Sequence, residues 1–312
     1  MNYYFAPMEG ITDRIYRRLH QEYFPGVDRY YTPFFSPTVH RSLTPKERKE
    51  LAPEPGLNVI PQILTRNAED FLWLTERCAE FGYEEVNLNL GCPSGTVTAK
   101  GKGSGMLQDP DALDSFLYEI YKRAALPVSI KTRIGFRDPE EFPRLLEIFN
   151  RYPVQELTIH PRVREDFYKG SVRLDSFRYA AANAKMPLCY NGNLNTLKDI
   201  RAIAAEFPDI SSVMLGRGLI GDPGMITEGG TRVDKLEGFH DALLAEYTEA
   251  FGSARNAMFR MKENWGYLKR HFDGGDKLFK KLRKTTDITE YKAITNEIFH
   301  TLTLLPELNA DW

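Results

Sequence analysis

Short apolar or β-branched runs recur along the chain, each followed by a turn signal and then by a stretch whose apolar positions return every three or four residues. The runs that read as strands lie near 3–7, 29–32, 58–63, 85–90, 128–132, 156–159, 188–190 and 212–215. Helical periodicity fits 13–22, 67–81, 111–124, 140–150, 174–184 and 196–207. Alternating strands and helices predict a parallel sheet with helices packed outside it. Eight such units in about 225 residues suit a (β/α)8 TIM barrel, which typically needs ~250. An open doubly wound sheet is the competing architecture. It carries a G-x-G-x-x-G turn after its first strand, where this chain reads Pro7-Met8-Glu9-Gly10.

After Gly229-Gly230-Thr231 the strand signals stop and long amphipathic segments follow, over 236–252, 253–272, 276–284 and 286–305. This predicts a catalytic α/β domain over residues 1–230 and an all-helical, four-helix domain over 231–312. The 312 residues are 42% hydrophobic and 27% charged, enough for a sizeable core. Mean hydropathy is -0.43, and no apolar run nears the ~18–20 residues that span a bilayer. Met1 to Pro7 carry neither a basic stretch nor a long apolar one, so a cytoplasmic protein is expected. Cys78, Cys92 and Cys189 form no C-x-x-C pair, which argues against disulfides and a metal site. The formal net charge of -2, taken alone, argues against nucleic acid.

Chemistry in such a barrel sits at the C-terminal ends of the strands. The fourth run ends Asn87-Leu88-Asn89-Leu90-Gly91-Cys92-Pro93, and alternation puts both asparagines on the face opposite the leucines, toward the lumen. Cys92 follows at a turn where a thiol can meet substrate, whereas Cys78 and Cys189 read as core. The glycine-rich stretch Thr96 to Met106 is expected to be a lid over Cys92. Lys131, in an otherwise apolar strand, predicts a negative group in the lumen, because a buried ammonium needs a counter-charge. His160 and Arg162 end the sixth run. Glycines after the last two runs, in Asn191-Gly192-Asn193 and Gly216-Arg217-Gly218, suit a phosphate cradle, with Arg217 as an added donor. A phosphate together with an anionic ring beside Lys131 fits reduced flavin mononucleotide (FMN).

These motifs, with Ala6-Pro7-Met8-Glu9-Gly10, the Lys100 to Met106 loop and Ile130-Lys131-Thr132-Arg133, together resemble the tRNA-dihydrouridine synthases over nearly the whole chain. The resemblance implies an FMN-binding TIM barrel followed by a helical RNA-binding domain. It implies FMN held by Pro7, Met8, Glu9, Gln62, Lys131, His160, Asn191, Gly192, Asn193, Gly216 and Arg217. It also implies NADPH as electron donor, hydride delivery to C6 of a uracil in tRNA, and protonation of C5 by Cys92, with Asn89, Lys100 and Arg162 at the substrate. The enzyme would be an oxidoreductase acting on the CH–CH group of uridine, cytoplasmic and monomeric, without metal or membrane.

Such a partner changes the weight of the net charge. Between Ala254 and Thr286 ten Lys/Arg stand against three acids, a local +7 that suits phosphates. Interleaved Phe259, Trp265, Tyr267, Phe272 and Phe279 read mostly as domain core. Two other readings stay open: a flavin barrel reducing a free pyrimidine, as dihydroorotate-type enzymes do, and an RNA-binding module whose barrel is catalytically idle.

Overall fold

A computed structural model describes residues 1–38 and 40–309; the last three residues of the expected helical domain lie outside the described residues. The strands are β1 (Asn2–Phe5), β2 (Arg29–Tyr31), β3 (Val59–Ile60), β4 (Gln62–Ile63), β5 (Val86–Leu90), β6 (Val128–Gly135), β7 (Leu157–Val163), β8 (Leu188–Tyr190) and β9 (Ser212–Leu215). They form one sheet in the order β3-β2-β1-β9-β8-β7-β6-β5-β4. β3 and β4 are halves of a single run interrupted at Pro61, which has no N–H to give a ladder. β3 pairs with β2 and β4 with β5, both parallel, so the two ends of the sheet meet at Pro61 and the barrel nearly closes. The eight expected runs are all present. β5 and β7 are buried along their whole length, as strands covered by helices outside and side chains inside must be.

The helices follow their apolar periodicity closely: Arg14–Tyr23, Ala68–Glu80, Pro110–Arg123, Phe142–Phe149, Leu174–Asn183 and Leu197–Glu206, then Val233–Phe251, Ala254–Leu268, Asp276–Lys284 and Ile288–Thr301. The last ends earlier than expected. Leu302 leaves helical geometry, and Leu304 bridges Phe272 in antiparallel fashion. A further helix, Pro45–Glu50, carries only charged residues after its proline, so periodicity is silent there; Thr44 and Glu47 form its capping box. Among the described residues no helix is long and apolar enough to cross a membrane.

The chain divides into two compact units, and the division does not fall at one point in the sequence. One contains Met1–Pro7, Asp28–Asn193 and Arg201–Met214; the other contains Met8–Val27, Leu194–Ile200 and the described residues from Leu215 onward. In the second unit, helix Arg14–Tyr23 packs on Val233–Phe251, with the Phe239 ring edge-on to Tyr16 at 5.4 Å and to Phe24 at 5.5 Å. Tyr247 donates to Asp13 Oδ1 (2.9 Å), and Arg18 pairs with Glu246. The helices' own core is knit by Tyr291, whose hydroxyl receives Trp265 Nε1 (3.0 Å) and meets His240 Nε2 (2.8 Å).

In the first unit the N-terminal end of the barrel is closed by an internal ion cluster. Arg29 lies 3.3 Å from Glu85 and 4.0 Å from Glu156, and Glu156 accepts from Tyr4 (3.3 Å) and Ser212 (2.8 Å). Burial, then the Glu156 charge, pushes the Tyr4 hydroxyl up to about 12. Above this layer Tyr4, Ala6, Tyr31, Ile60, Cys189 and Met214 make an apolar cluster.

Candidate active site at the strand ends

Register carries the polar residues of successive strands into rings. Gln62 lies opposite Asn87 and Asn87 opposite Ser129; one step higher Asn89, Lys131, Thr158 and Cys189 are successive partners; higher still Arg133 faces His160. The side chains of the lower rings form a continuous chain: Asn87 Nδ2 donates to Ser129 Oγ (3.0 Å), Gln62 Nε2 to Asn87 Oδ1 (2.8 Å) and Asn89 Nδ2 to Gln62 Oε1 (2.7 Å). Satisfied amides of this kind tolerate burial and fix one another's orientation. Asn89 Oδ1 in turn accepts the backbone N–H of Gly91 (3.0 Å) and Cys92 (2.9 Å). The amide at the end of the chain thus sets the turn that carries the thiol.

Cys92 is half-buried, while Cys78 and Cys189 are buried, and burial pushes the Cys78 thiol up to about 12. The Cys92 carbonyl accepts from the backbone N–H (3.2 Å) and hydroxyl (2.8 Å) of Ser104. The loop expected to be a lid is therefore folded against the turn: it forms a helix at Gly95–Thr98 and a 3-10 helix at Gly103–Gln108, and Gly103 to Leu107 are buried. Its glycines serve close packing rather than mobility. A Cβ at Gly105 would stand 2.9 Å from the Thr98 carbonyl oxygen, and one at Gly103 3.1 Å from Cys92 Cβ. Lys102 Nζ reaches Ser36 Oγ (2.7 Å), and Lys100 is exposed on the turn between the two helices.

Lys131 Nζ donates to Asn191 Oδ1 (2.8 Å), and Asn191 Nδ2 to the Met214 carbonyl (2.7 Å). Burial, then the Arg133 charge, lowers the Lys131 ammonium to about 8; the other groups acting on it are the thiols of Cys189 and Cys92, not a carboxylate. The expected negative group is thus not a side chain acting on this lysine, which leaves the ammonium suited to an anionic ligand. His160 Nε2 lies 2.9 Å from Arg162 Nη1. Arg162 is only 1% exposed. Its other donors go to the carbonyls of Lys169 (3.2 Å) and Gly170 and to Asn193 Oδ1 (3.0 Å), so it turns toward the protein where direct substrate contact was expected. Asn193 adopts φ 50, a left-handed conformation that asparagine tolerates. A Cβ at Gly192 would stand 2.9 Å from Val172 Cγ1.

Pro7 belongs to this unit; Met8, Glu9, Gly216 and Arg217 belong to the other. There, Met8 N–H donates to Thr12 Oγ1 (2.8 Å), Glu9 is exposed, and Gly216 precedes the short helix Arg217–Gly221. A Cβ at Gly218 would stand 2.3 Å from the Leu194 carbonyl oxygen, so that turn requires glycine. In the basic segment, Lys269, Arg270, Phe272, Phe279, Lys280 and Arg283 line a cleft of about 540 Å³, with Asp273 and Asp276 also on its wall.

Sequence reading passed over Arg133 and Arg164 as site residues. The signal available was alternation: Lys131 and Arg133 share one strand face, and His160, Arg162 and Arg164 continue the same spacing at the end of β7.

Fold and site together define a parallel-barrel enzyme whose strand ends carry a thiol beside a cationic, amide-lined lumen. The chain belongs to the dihydrouridine synthase family, whose model matches residues 4–310. It is 31% identical to "tRNA-dihydrouridine synthase B" of Escherichia coli K12 over 227 residues, 72% of this chain and 69% of that protein. To the protein of the same name from Proteus vulgaris it is 27% identical over 278 residues, 85% of each. The alignment with the Pasteurella multocida protein, at 28% identity, spans 70% of this chain and 66% of the relative. Among solved structures, morphinone reductase matches with a TM-score of 0.50 at 12% identity, over 72% of this chain and 84% of that one, a likeness of fold.

Proposed function

We propose that this protein is a flavin-dependent tRNA-dihydrouridine synthase that reduces the C5–C6 double bond of uridines in tRNA. The observation that carries the reading is the half-buried Cys92, held at a strand end by Asn89 and Ser104 on a turn beside Lys131. Family membership and the relatives' names supply the substrate class. Residues 1–230 would form the catalytic domain and residues 231–312 the RNA-binding domain, in a cytoplasmic monomer.

Lys131, Gln62, His160, Asn191, Gly192 and Asn193, with Pro7, all within one unit, are the groups that would hold FMN. The lumenal ammonium fits it, because its charge is met by an amide and not by a carboxylate. Bound FMN, reduced by NADPH, would supply the hydride to C6 of the uracil. Negative charge then builds on the ring toward O4, and the protein's part is to answer it. Cys92 Sγ–H gives its proton to C5; a thiol, with an ordinary pKa near ~8.5, is protonated at neutrality yet able to release. Asn89 has spent one amide N–H on Gln62 and offers the other to the uracil. Lys100 faces solvent, where RNA phosphate would lie, and Arg162 acts through His160 and Asn193.

Base-edge chemistry of this kind needs the uridine extruded from the RNA, and the exposed Lys280, Lys281 and Arg283 would grip its phosphates. The test is to supply the purified protein with FMN, NADPH and tRNA lacking dihydrouridine, and to measure dihydrouridine by mass spectrometry. Cys92→Ala is expected to keep FMN and its reduction while losing product by about 10²–10⁴-fold, the usual worth of a positioned acid. Full turnover by that variant would overturn the proton-donor role. Turnover of free uracil, uridine or orotate with none on tRNA would favour the free-pyrimidine reading instead.

A further inference from the structure

Two arginines that the mechanism does not use tie the loop after β7 to the turn that carries Cys92. Arg133, 1% exposed, projects from β6. It donates from Nε to the Gly91 carbonyl (2.9 Å), from Nη1 to the Val163 carbonyl (2.9 Å) and from Nη2 to the Phe167 carbonyl (2.6 Å). Arg164, the first residue of the 3-10 turn Arg164–Asp166, donates from Nε to the Pro93 carbonyl (3.2 Å) and from Nη2 to Thr98 Oγ1 (3.2 Å). Its guanidinium lies over the rings of Phe136 at 5.3 Å and Phe167 at 4.8 Å.

The two carbonyls gripped in this way, Gly91 and Pro93, flank Cys92 on either side. Both arginines also converge on Phe167, one at its carbonyl and one at its ring. Phe167 has φ 52 and ψ -102, a backbone conformation that an L-residue with a bulky side chain avoids unless its surroundings enforce it. Here the enforcement is visible. Phe167 and the neighbouring Tyr168 are 41% and 46% exposed, and the Arg133 guanidinium also lies over the Tyr168 ring at 5.3 Å.

We propose that Arg133 and Arg164 are positioning residues that lock the thiol turn and the β7 loop into one rigid piece, so that the place of Cys92 Sγ depends on the loop being clamped. Only the catalytic consequence rests on Cys92 being the proton donor; the clamp itself does not. The planar fork matters, because each guanidinium serves two or three acceptors whose directions a lysine ammonium cannot match together.

The test reads Cys92 directly. Iodoacetamide alkylation of the full-length protein is followed peptide by peptide, with and without FMN, using buried Cys78 and Cys189 as internal controls. Arg164→Ala is expected to raise the Cys92 rate about tenfold while both controls stay unreactive. In turnover it should lower kcat about 10- to 100-fold, the scale of a misplaced catalytic group, with KM for tRNA within about twofold. Arg164→Lys, which keeps the charge, should fall close to Arg164→Ala, and Thr98→Val, which removes a single acceptor, should raise alkylation about twofold. Should Arg164→Ala not fold, the lysine and valine variants carry the test. Wild-type alkylation in these variants, or simultaneous labelling of Cys78 and Cys189, overturns the clamp. Faster Cys92 alkylation with unchanged turnover upholds the clamp and overturns the proton-donor role.

Discussion

The two ends of the barrel solve the same problem in opposite ways. At the N-terminal end Arg29 lies between Glu85 and Glu156, and Tyr4 and Ser212 complete the shell, so charge is answered by charge inside the protein. At the C-terminal end Lys131, Arg133, Arg162 and Arg164 donate mainly to neutral acceptors: the amides of Asn191 and Asn193, the Thr98 hydroxyl, and the carbonyls of Gly91, Pro93, Val163 and Phe167. Asp166, in the same loop, is paired with Arg173. Neutral acceptors satisfy hydrogen bonds without cancelling charge. The first end is finished as built, whereas the second stays electropositive and suits an anionic cofactor and an RNA backbone.

The sharpest way to break this contrast is to unbalance the closed end. Arg29→Met leaves two largely buried carboxylates without their cation and is expected to cost about 3–5 kcal/mol in urea unfolding. Cys92 alkylation in the folded protein should not change; a change would mean that the two ends are coupled. At the open end, Lys131→Met is expected to weaken FMN binding about 10- to 100-fold by fluorescence titration, the worth of a charge-assisted hydrogen bond. The same lysine predicts a pH effect. Its ammonium sits at about 8 against an ordinary 10.5, so the unfolded chain holds the proton over that window while the folded one has released it. The flavin-free protein should gain stability as pH rises from about 8 toward 10.5, and Lys131→Met should flatten that rise. The smallest effect belongs to the helical segment: each of Lys280→Glu, Lys281→Glu and Arg283→Glu should weaken tRNA binding and reduce the slope of log K against log salt by about 0.9 per lost phosphate contact. Flavin reduction should be unaffected, and an unchanged slope would put the RNA surface elsewhere.

Much of the site was legible because it follows strand alternation. Asn87, Asn89 and Lys131 are polar interruptions in apolar strands, and interruptions of that kind have to face one another across a lumen. Cys92 was separable from Cys78 and Cys189 because it alone sits in a turn at a strand end. The glycines at 103 and 105 were misread, because composition signals freedom as readily as it signals close approach, and only the Cys92 and Thr98 atoms beside them distinguish the two. Arg162 was misdirected for a related reason: a guanidinium at a strand end has five donors, and sequence does not say whether ligand or carbonyl takes them.

By itself the sequence determined the barrel, the eight runs that supply its strands and the helical segment, since these depend on local periodicity. Only the tertiary structure decided that the stretch after Cys92 is packed, that helix Arg14–Tyr23 packs on Val233–Phe251, and that Arg133 and Arg164 hold the carbonyls on either side of Cys92. Those facts depend on which backbone groups arrive within about 3 Å of a donor, and closing a parallel barrel brings together residues tens of positions apart in the chain.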